Sequence, residues 1–252
     1  MKQLAAQLSI ATFTTLSTFT FATGAEAADL ALRGDLLEVF SSYVREERMA
    51  FNELDLPELD ASNLYWNGTV DDVEVFFVNE GAAYKNQLLF TANDGPMEII
   101  FNNISSRQSI LKESSGVLSL GEGRALSGFS GPTQLSFFLK ANGFNGGKNI
   151  YGSKEFMNST VDGKTVNPDG LSHLIAYNYF DEVDQESYTI IGFEDLYGPL
   201  KKGGSDRDFN DVVFAVRGLV EGKPEEKDIP EPSALLGLIG LAAMGRCLRR
   251  MS

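Results

Sequence analysis

The sequence predicts a mainly β fold, an antiparallel β-sandwich or jelly roll that follows an N-terminal helix. Short runs of strand-forming residues recur between residues 70 and 220, and turn-forming residues separate them. Residues 29–52 instead place their apolar side chains at helical spacing. Both ends of the chain carry uncharged segments that are typical of export and sorting signals. These observations divide the chain into a cleavable leader, a folded body and a sorting tail.

The first 27 residues are predicted to be a cleavable signal peptide. Lys2 supplies the basic start, and residues 4–22 carry no charge. Ala25-Glu26-Ala27 fits the pattern of two small residues before a cleavage site. We expect cleavage after Ala27, with Ala25 and Ala27 read by the peptidase.

The body is predicted to contain a helical segment, residues 28–69, and a β-sandwich domain, residues 70–220. The expected strands cover residues 71–78, 86–91, 97–101, 116–120, 133–140, 171–180, 187–193 and 211–220. The strand at 116–120 has the weakest pattern, because Ser and Gly dominate its surroundings. No repeat of the solenoid type is found in the sequence.

The last 32 residues have the organisation of a sorting signal. Residues 221–232 form a charged, Pro-rich linker that is expected to stay extended. Residues 233–252 form an apolar tail, and its uncharged part is shorter than the ~20 residues of a usual membrane span. The basic residues that close the chain are expected to remain in the cytoplasm. The recognition residues of such a signal would be Pro230, Glu231, Pro232, Arg246, Arg249 and Arg250.

This tail resembles the PEP-CTERM sorting signal of Gram-negative bacteria. The resemblance implies transient anchoring in the inner membrane and removal of the tail by an exosortase. It also implies delivery to the cell surface or the extracellular matrix.

The composition excludes several classes of function. The net charge is −14, so the surface repels nucleic acid and anionic lipid. The single cysteine, Cys247, lies in the tail, so the body has no disulfide. The single histidine, His173, argues against His-rich metal sites and His-based catalysis, and its apolar neighbours favour a packed strand residue.

An acidic loop precedes the last predicted strand. Asp206-Arg207-Asp208-Phe209-Asn210-Asp211 alternates oxygen-bearing side chains, as Ca²⁺ loops do. The EF-hand pattern then fails, because Asp211 stands where glycine is required and Arg217 where glutamate is required. Glu194 and Asp195 end the preceding strand, and a hairpin-like loop would bring them close. The predicted Ca²⁺ ligands are Glu194, Asp195, Asp206, Asp208, Asn210 and Asp211, and the alternative is an Asx-rich turn that only caps backbone groups.

The segment 192–216, GFEDLYGPLKKGGSDRDFNDVVFAV, resembles the bacterial family called domain of unknown function 4114. The resemblance extends over about residues 135–219. It implies a β-rich domain of exported proteins, with Ca²⁺ as the candidate cofactor and no established enzymatic activity.

Three functions follow from these patterns. The favoured function is a non-enzymatic surface or matrix module that is stabilised by Ca²⁺ and binds exopolysaccharide or other matrix components. The first alternative is a purely structural surface protein without metal. The second is a hydrolase of matrix polysaccharide that uses Glu194, Asp195 or Asp208 as acid and base. Crowding disfavours the hydrolase, because an acid and a base need different environments.

Overall fold

The computed structural model describes residues 30–45, 50–68, 70, 72–200 and 204–224. The predicted signal peptide, with Ala25 and Ala27, lies outside the described residues. So does the sorting signal, with Pro230, Glu231, Pro232 and the three terminal arginines.

The described residues form two large packed sheets and one two-stranded sheet, which confirms the predicted antiparallel β-sandwich. Fifteen strands are numbered in chain order. The first eight are β1 Leu30–Ala31, β2 Glu58–Leu59, β3 Leu64–Trp66, β4 Val73–Glu80, β5 Asn86–Ala92, β6 Glu98–Ile104, β7 Glu122–Leu126 and β8 Leu135–Lys140. The other seven are β9 Ile150–Tyr151, β10 Ser159–Val161, β11 Lys164–Val166, β12 Leu174–Asp181, β13 Glu186–Phe193, β14 Val212–Arg217 and β15 Leu219–Glu221.

The larger sheet has seven strands in the order β1-β7-β4-β14-β13-β12-β2, and every pair is antiparallel. The second sheet has the order β10-β11-β9-β8-β5-β6, with one parallel pair between β9 and β11. Strands β3 and β15 pair separately. The two central strands of the larger sheet, β13 and β14, flank the acidic loop.

The main core lies between the two sheets. Strand β14 shows how the sequence builds it, because its side chains alternate between the two faces. Phe214 belongs to the cluster between the sheets, whereas Val213 and Ala215 belong to a second cluster on the outer face. Burying each of the larger side chains contributes about 1.5–3 kcal/mol to folding.

The outer face of the larger sheet is covered by the helix α1, Gly34–Ser42. Leu36 and Phe40 are buried there, and the Phe40 ring meets Tyr179 edge-on at 5.1 Å between centroids. The predicted helix at residues 29–52 was therefore too long. Leu30–Ala31 pairs with β7 instead, and Phe51–Glu53 forms a 3₁₀ turn. The sheet buries these flanking apolar residues in other conformations, and packing outweighs their helical periodicity.

Two strand predictions also need correction. The strand expected at 116–120 is not formed, and β7 follows it at Glu122–Leu126. Leu118 makes only an isolated bridge to Ser106, and Gly116 lies against the Ser106 backbone. The strand expected at 211–220 ends at Arg217, because Gly218 has φ 94° and redirects the chain into β15.

Candidate metal centre

The topology brings the predicted ligands to one end of the larger sheet. Strands β13 and β14 are antiparallel neighbours, with Phe193 opposite Val212. The residues that follow β13 therefore lie beside those that precede β14. Glu80, the last residue of β4, is also opposite Val212. Three strand ends thus meet at this point.

Carboxylates gather there in two overlapping groups that share Glu194. The first contains Glu194, Asp206 and Asp208, and the second contains Glu194, Asp195 and Asp211. Within each group, one carboxylate oxygen per residue lies within 4.8 Å of the others. Glu194, Asp195 and Asp208 are buried, whereas Asp206 is exposed. The structure thus brings together the five carboxylates that the sequence singled out.

Backbone amides hold the central carboxylates. Glu194 accepts hydrogen bonds from the amides of Arg207 at 2.9 Å and Leu196 at 3.2 Å. Asp211 accepts one from the amide of Asp195 at 2.7 Å. A carboxylate has about four lone-pair sites, so these bonds leave room for a cation.

The loop reaches this geometry through two residues in the left-handed region. Arg207 has φ 58° and Phe209 has φ 60°, which is uncommon for bulky side chains. The Arg207 guanidinium stacks 4.9 Å from the centroid of the Phe209 ring and donates to the Ser172 carbonyl. The amide of Phe51 donates to the Asp208 carbonyl at 2.8 Å. The N-terminal segment therefore supports the loop from outside the acidic region.

Asn210 positions a carboxylate in this structure. Its Nδ2 donates to Asp208 Oδ2 at 2.9 Å, and its amide donates to Asp208 Oδ1 at 3.2 Å. Its Oδ1 faces Gly81, where a Cβ atom would lie only 2.8 Å away. Asn210 thereby orients Asp208, and glycine at position 81 leaves the space that this requires.

Burial and mutual repulsion raise the pKa of three members of the cluster, Asp195, Asp208 and Asp211. Burial raises the pKa of Asp195 to about 7, and the nearby Glu194 and Asp206 charges add to the rise. Burial likewise raises the pKa of Asp208 to about 6, again with help from Asp206 and Glu194. The pKa of Asp211 is well above its ordinary value for the same reason, with Asp195 as the main repelling charge. Negative charge is therefore costly here unless a cation compensates it.

Two members of this region were missed by the sequence analysis. Asn86, the first residue of β5, donates from Nδ2 to Asp195 Oδ2 at 2.7 Å. Glu80 is 1% exposed, and its Oε2 has no hydrogen-bond partner. Burial raises the pKa of Glu80 to about 8, and the Asp195 charge contributes. Only strand pairing brings these residues to the loop, so no local motif could have revealed them.

The donor set fits a hard cation such as Ca²⁺. Each member is a carboxylate oxygen, the ligand type that Ca²⁺ prefers, and more than one comes from a buried position. His173 is engaged elsewhere, since its Nδ1 donates to the Glu194 carbonyl at 3.0 Å and its ring stacks on Tyr151. His173 is fully buried, as the sequence predicted, but it lies just before β12 and not within a strand.

The family comparisons bear on this same region. Residues 129–219 match the family model described as Domain of unknown function (DUF4114), and residues 228–250 match the PEP-CTERM protein-sorting motif. The chain is therefore similar to the DUF4114 family over residues 129–219 and to the PEP-CTERM motif over residues 228–250. Both predicted resemblances are confirmed. Comparison with curated proteins and with solved structures finds no significant match.

The DUF4114 match contains the whole acidic loop and both strands that flank it. It leaves out β1 to β7, and with them Glu80 and Asn86. The candidate metal centre thus combines ligands from inside the match with supporting residues from outside it.

The PEP-CTERM motif indicates how the protein is exported and processed. The chain is an exported, exosortase-targeted protein whose C-terminus is membrane-associated before processing. Within the residues that the structure describes, no helix is long and apolar enough to span a bilayer. The predicted sorting helix at 233–252 lies outside those residues.

Proposed function

We propose that this protein is a non-enzymatic module of the cell surface or extracellular matrix of a Gram-negative bacterium, and that Ca²⁺ stabilises its β-domain. Exopolysaccharide or another matrix component would be its partner. The PEP-CTERM motif supports export and processing. The acidic cluster supports the metal, and it is the observation on which the proposal rests.

The argument for Ca²⁺ is electrostatic. Glu194 belongs to two groups of carboxylates whose oxygens lie within 4.8 Å of one another. Like charges at such distances repel strongly where burial lowers the dielectric constant. The unpartnered Oε2 of the buried Glu80 adds a further uncompensated acceptor at the same end of the sheet. A divalent cation would turn each of these costs into a favourable interaction.

The same geometry disfavours the hydrolase alternative. The two carboxyl groups of a glycosidase are usually about 5–5.5 Å or about 6.5–9.5 Å apart, with the sugar between them. Here one oxygen of each carboxylate lies within 4.8 Å of the others in its group, and backbone amides engage Glu194 and Asp211. A metal fits between such groups more readily than a glycosidic bond.

A thermal melt tests the metal. The purified full-length protein would be unfolded in EDTA and in millimolar Ca²⁺, beside Asp208→Ala and the exposed control Glu182→Ala. Saturation at 100 to 1,000 times Kd should add about 3–4 kcal/mol of stability. The gain should survive in the control and shrink in Asp208→Ala. Equal melting temperatures with and without Ca²⁺ would instead favour the purely structural surface protein.

A further inference from the structure

A polar cleft lies near the end of β5, whereas the metal centre lies near its start. It has a volume of about 760 Å³ and is bounded by the turn between β5 and β6, the β10–β11 hairpin and the loop after β2. Strand β5 connects the two regions, because Asn86 contacts Asp195 at its start and Thr91 lines the cleft near its end. At about 3.3 Å per residue, the two sites are separated by roughly 16 Å along this strand.

Hydroxyl and amide side chains dominate the lining of the cleft. They include Ser62, Asn63, Thr91, Asn93, Gln134 and Ser136. Such groups both donate and accept hydrogen bonds, which matches the hydroxyls of a sugar. Phe156 is the aromatic member of the lining, and its ring is fixed edge-on against Phe138 at 5.0 Å between centroids. It offers a small apolar surface to the face of a sugar ring.

Internal hydrogen bonds hold several lining groups in place. The side chain of Gln134 donates from Nε2 to the Ser62 carbonyl at 2.6 Å, and its backbone amide donates to Asn93 Oδ1 at 3.0 Å. Ser62 donates from Oγ to Asp60 Oδ1 at 2.7 Å. A lining that is ordered before binding loses less conformational entropy when a ligand arrives.

The charge of the lining selects among sugars. Asp162 is paired with Lys164 at 2.5 Å. Asp94 and Glu155 also line the cleft, are exposed, and form no ion pair with another described residue. The surplus is negative, so the cleft repels uronate, sulfate and phosphate groups and attracts amines.

We propose that this cleft binds an oligosaccharide of amino sugars that carry free, protonated amines. The inference deepens the proposed matrix function by naming the chemical class of its partner, and it does not require the Ca²⁺ site. A short basic peptide would share the charge, but the hydroxyl- and amide-rich lining and the apolar ring of Phe156 favour a sugar.

Calorimetric titration of the full-length protein tests the inference. The ligands would be a glucosamine hexamer, its fully N-acetylated form, a uronate hexamer and hexalysine, at pH 6 and about 0.15 M salt to screen long-range attraction. The glucosamine hexamer should bind most tightly and the uronate hexamer should not bind. The double variant Asp94→Asn, Glu155→Gln should bind the glucosamine hexamer at least about tenfold more weakly, because charge-assisted hydrogen bonds to the amines are lost.

A control variant that loses the same number of negative charges distinguishes binding in the cleft from attraction to the acidic surface as a whole. The double variant Glu53→Gln, Glu182→Gln alters two exposed acids outside the cleft lining and should bind as the unaltered protein does. Equal weakening in both double variants would overturn the proposal. So would hexalysine that binds as tightly as the sugar, or the absence of binding at millimolar ligand.

The Ca²⁺ and glycan proposals fail separately. Titration in EDTA should leave the affinity for the glucosamine hexamer unchanged, because the cleft and the metal centre lie at opposite ends of β5. Sugar binding without any Ca²⁺-dependent change in melting temperature would refute the Ca²⁺ proposal and support the glycan proposal. A Ca²⁺ effect without sugar binding would do the reverse.

Discussion

Replacing Asp195 by asparagine should stabilise the protein without Ca²⁺ and destabilise it when Ca²⁺ is bound. Asp195 is almost fully buried, and its pKa is raised to about 7 in the folded protein. The ordinary value is 3.8, so the shift is about three units. One unit corresponds to about 1.4 kcal/mol, so ionising Asp195 in the metal-free fold costs roughly 4 kcal/mol. Asparagine removes this cost, and its side-chain oxygen can still accept the hydrogen bond from Asn86.

The pH dependence follows from the sign of the shift. Between about pH 4 and pH 7 the unfolded chain has released this proton while the folded protein retains it, so stability falls as pH rises. The penalty is absent below pH 4 and complete above pH 7. In EDTA the advantage of Asp195→Asn should therefore be small at pH 4 and reach a few kcal/mol at pH 8. In saturating Ca²⁺ at pH 8 the variant should be the less stable protein, because it has lost a charged ligand.

Urea unfolding of the full-length protein, followed by circular dichroism, measures all of these free energies. The exposed substitution Glu182→Gln is the control and should change little under either condition. A variant that is less stable than the unaltered protein in EDTA at pH 8 would refute the repulsion argument. A variant that remains more stable in saturating Ca²⁺ would refute the assignment of Asp195 as a ligand.

Three further substitutions test other parts of the structure. Gly81→Ala should weaken Ca²⁺ binding at least about tenfold in calorimetry, because the new Cβ would lie 2.8 Å from Asn210 Oδ1. The control is Gly34→Ala, whose new Cβ has no atom within 4 Å, and it should leave the affinity for Ca²⁺ unchanged. Leu36→Ala should lower the free energy of unfolding by about 2–5 kcal/mol, since Leu36 lies on the buried face of α1 and is 1% exposed. A loss below about 1 kcal/mol would show that α1 adds little to the fold. Pro230→Ala should block processing of the PEP-CTERM motif, so the longer precursor should accumulate in the membrane fraction on an immunoblot; unchanged processing would show that this residue is not read.

The amino-acid sequence by itself determined the features that depend on neighbouring residues. The PEP-CTERM motif is a linear pattern, and its residues need no fold to be recognised. The longer strands, such as β5 and β13, alternate or concentrate strand-forming residues strongly enough to be located within a few positions. The acidic loop was visible because its oxygen ligands are adjacent or alternate along the chain. Its three carboxylates do meet Glu194 and Asp195 in space.

Tertiary structure alone decided the rest. Strands of two residues, such as β1 and β2, are stabilised by hydrogen bonds to distant partners, so their own residues carry almost no signal. Glu80 and Asn86 reach the metal centre only because β4 and β5 end and begin at the same edge of the sandwich as the loop. The polar cleft is likewise assembled from segments between Asp60 and Asp162 whose common wall exists only after the sheets pack. Local residue patterns specify the elements, but contacts between elements that are far apart in the chain create the sites.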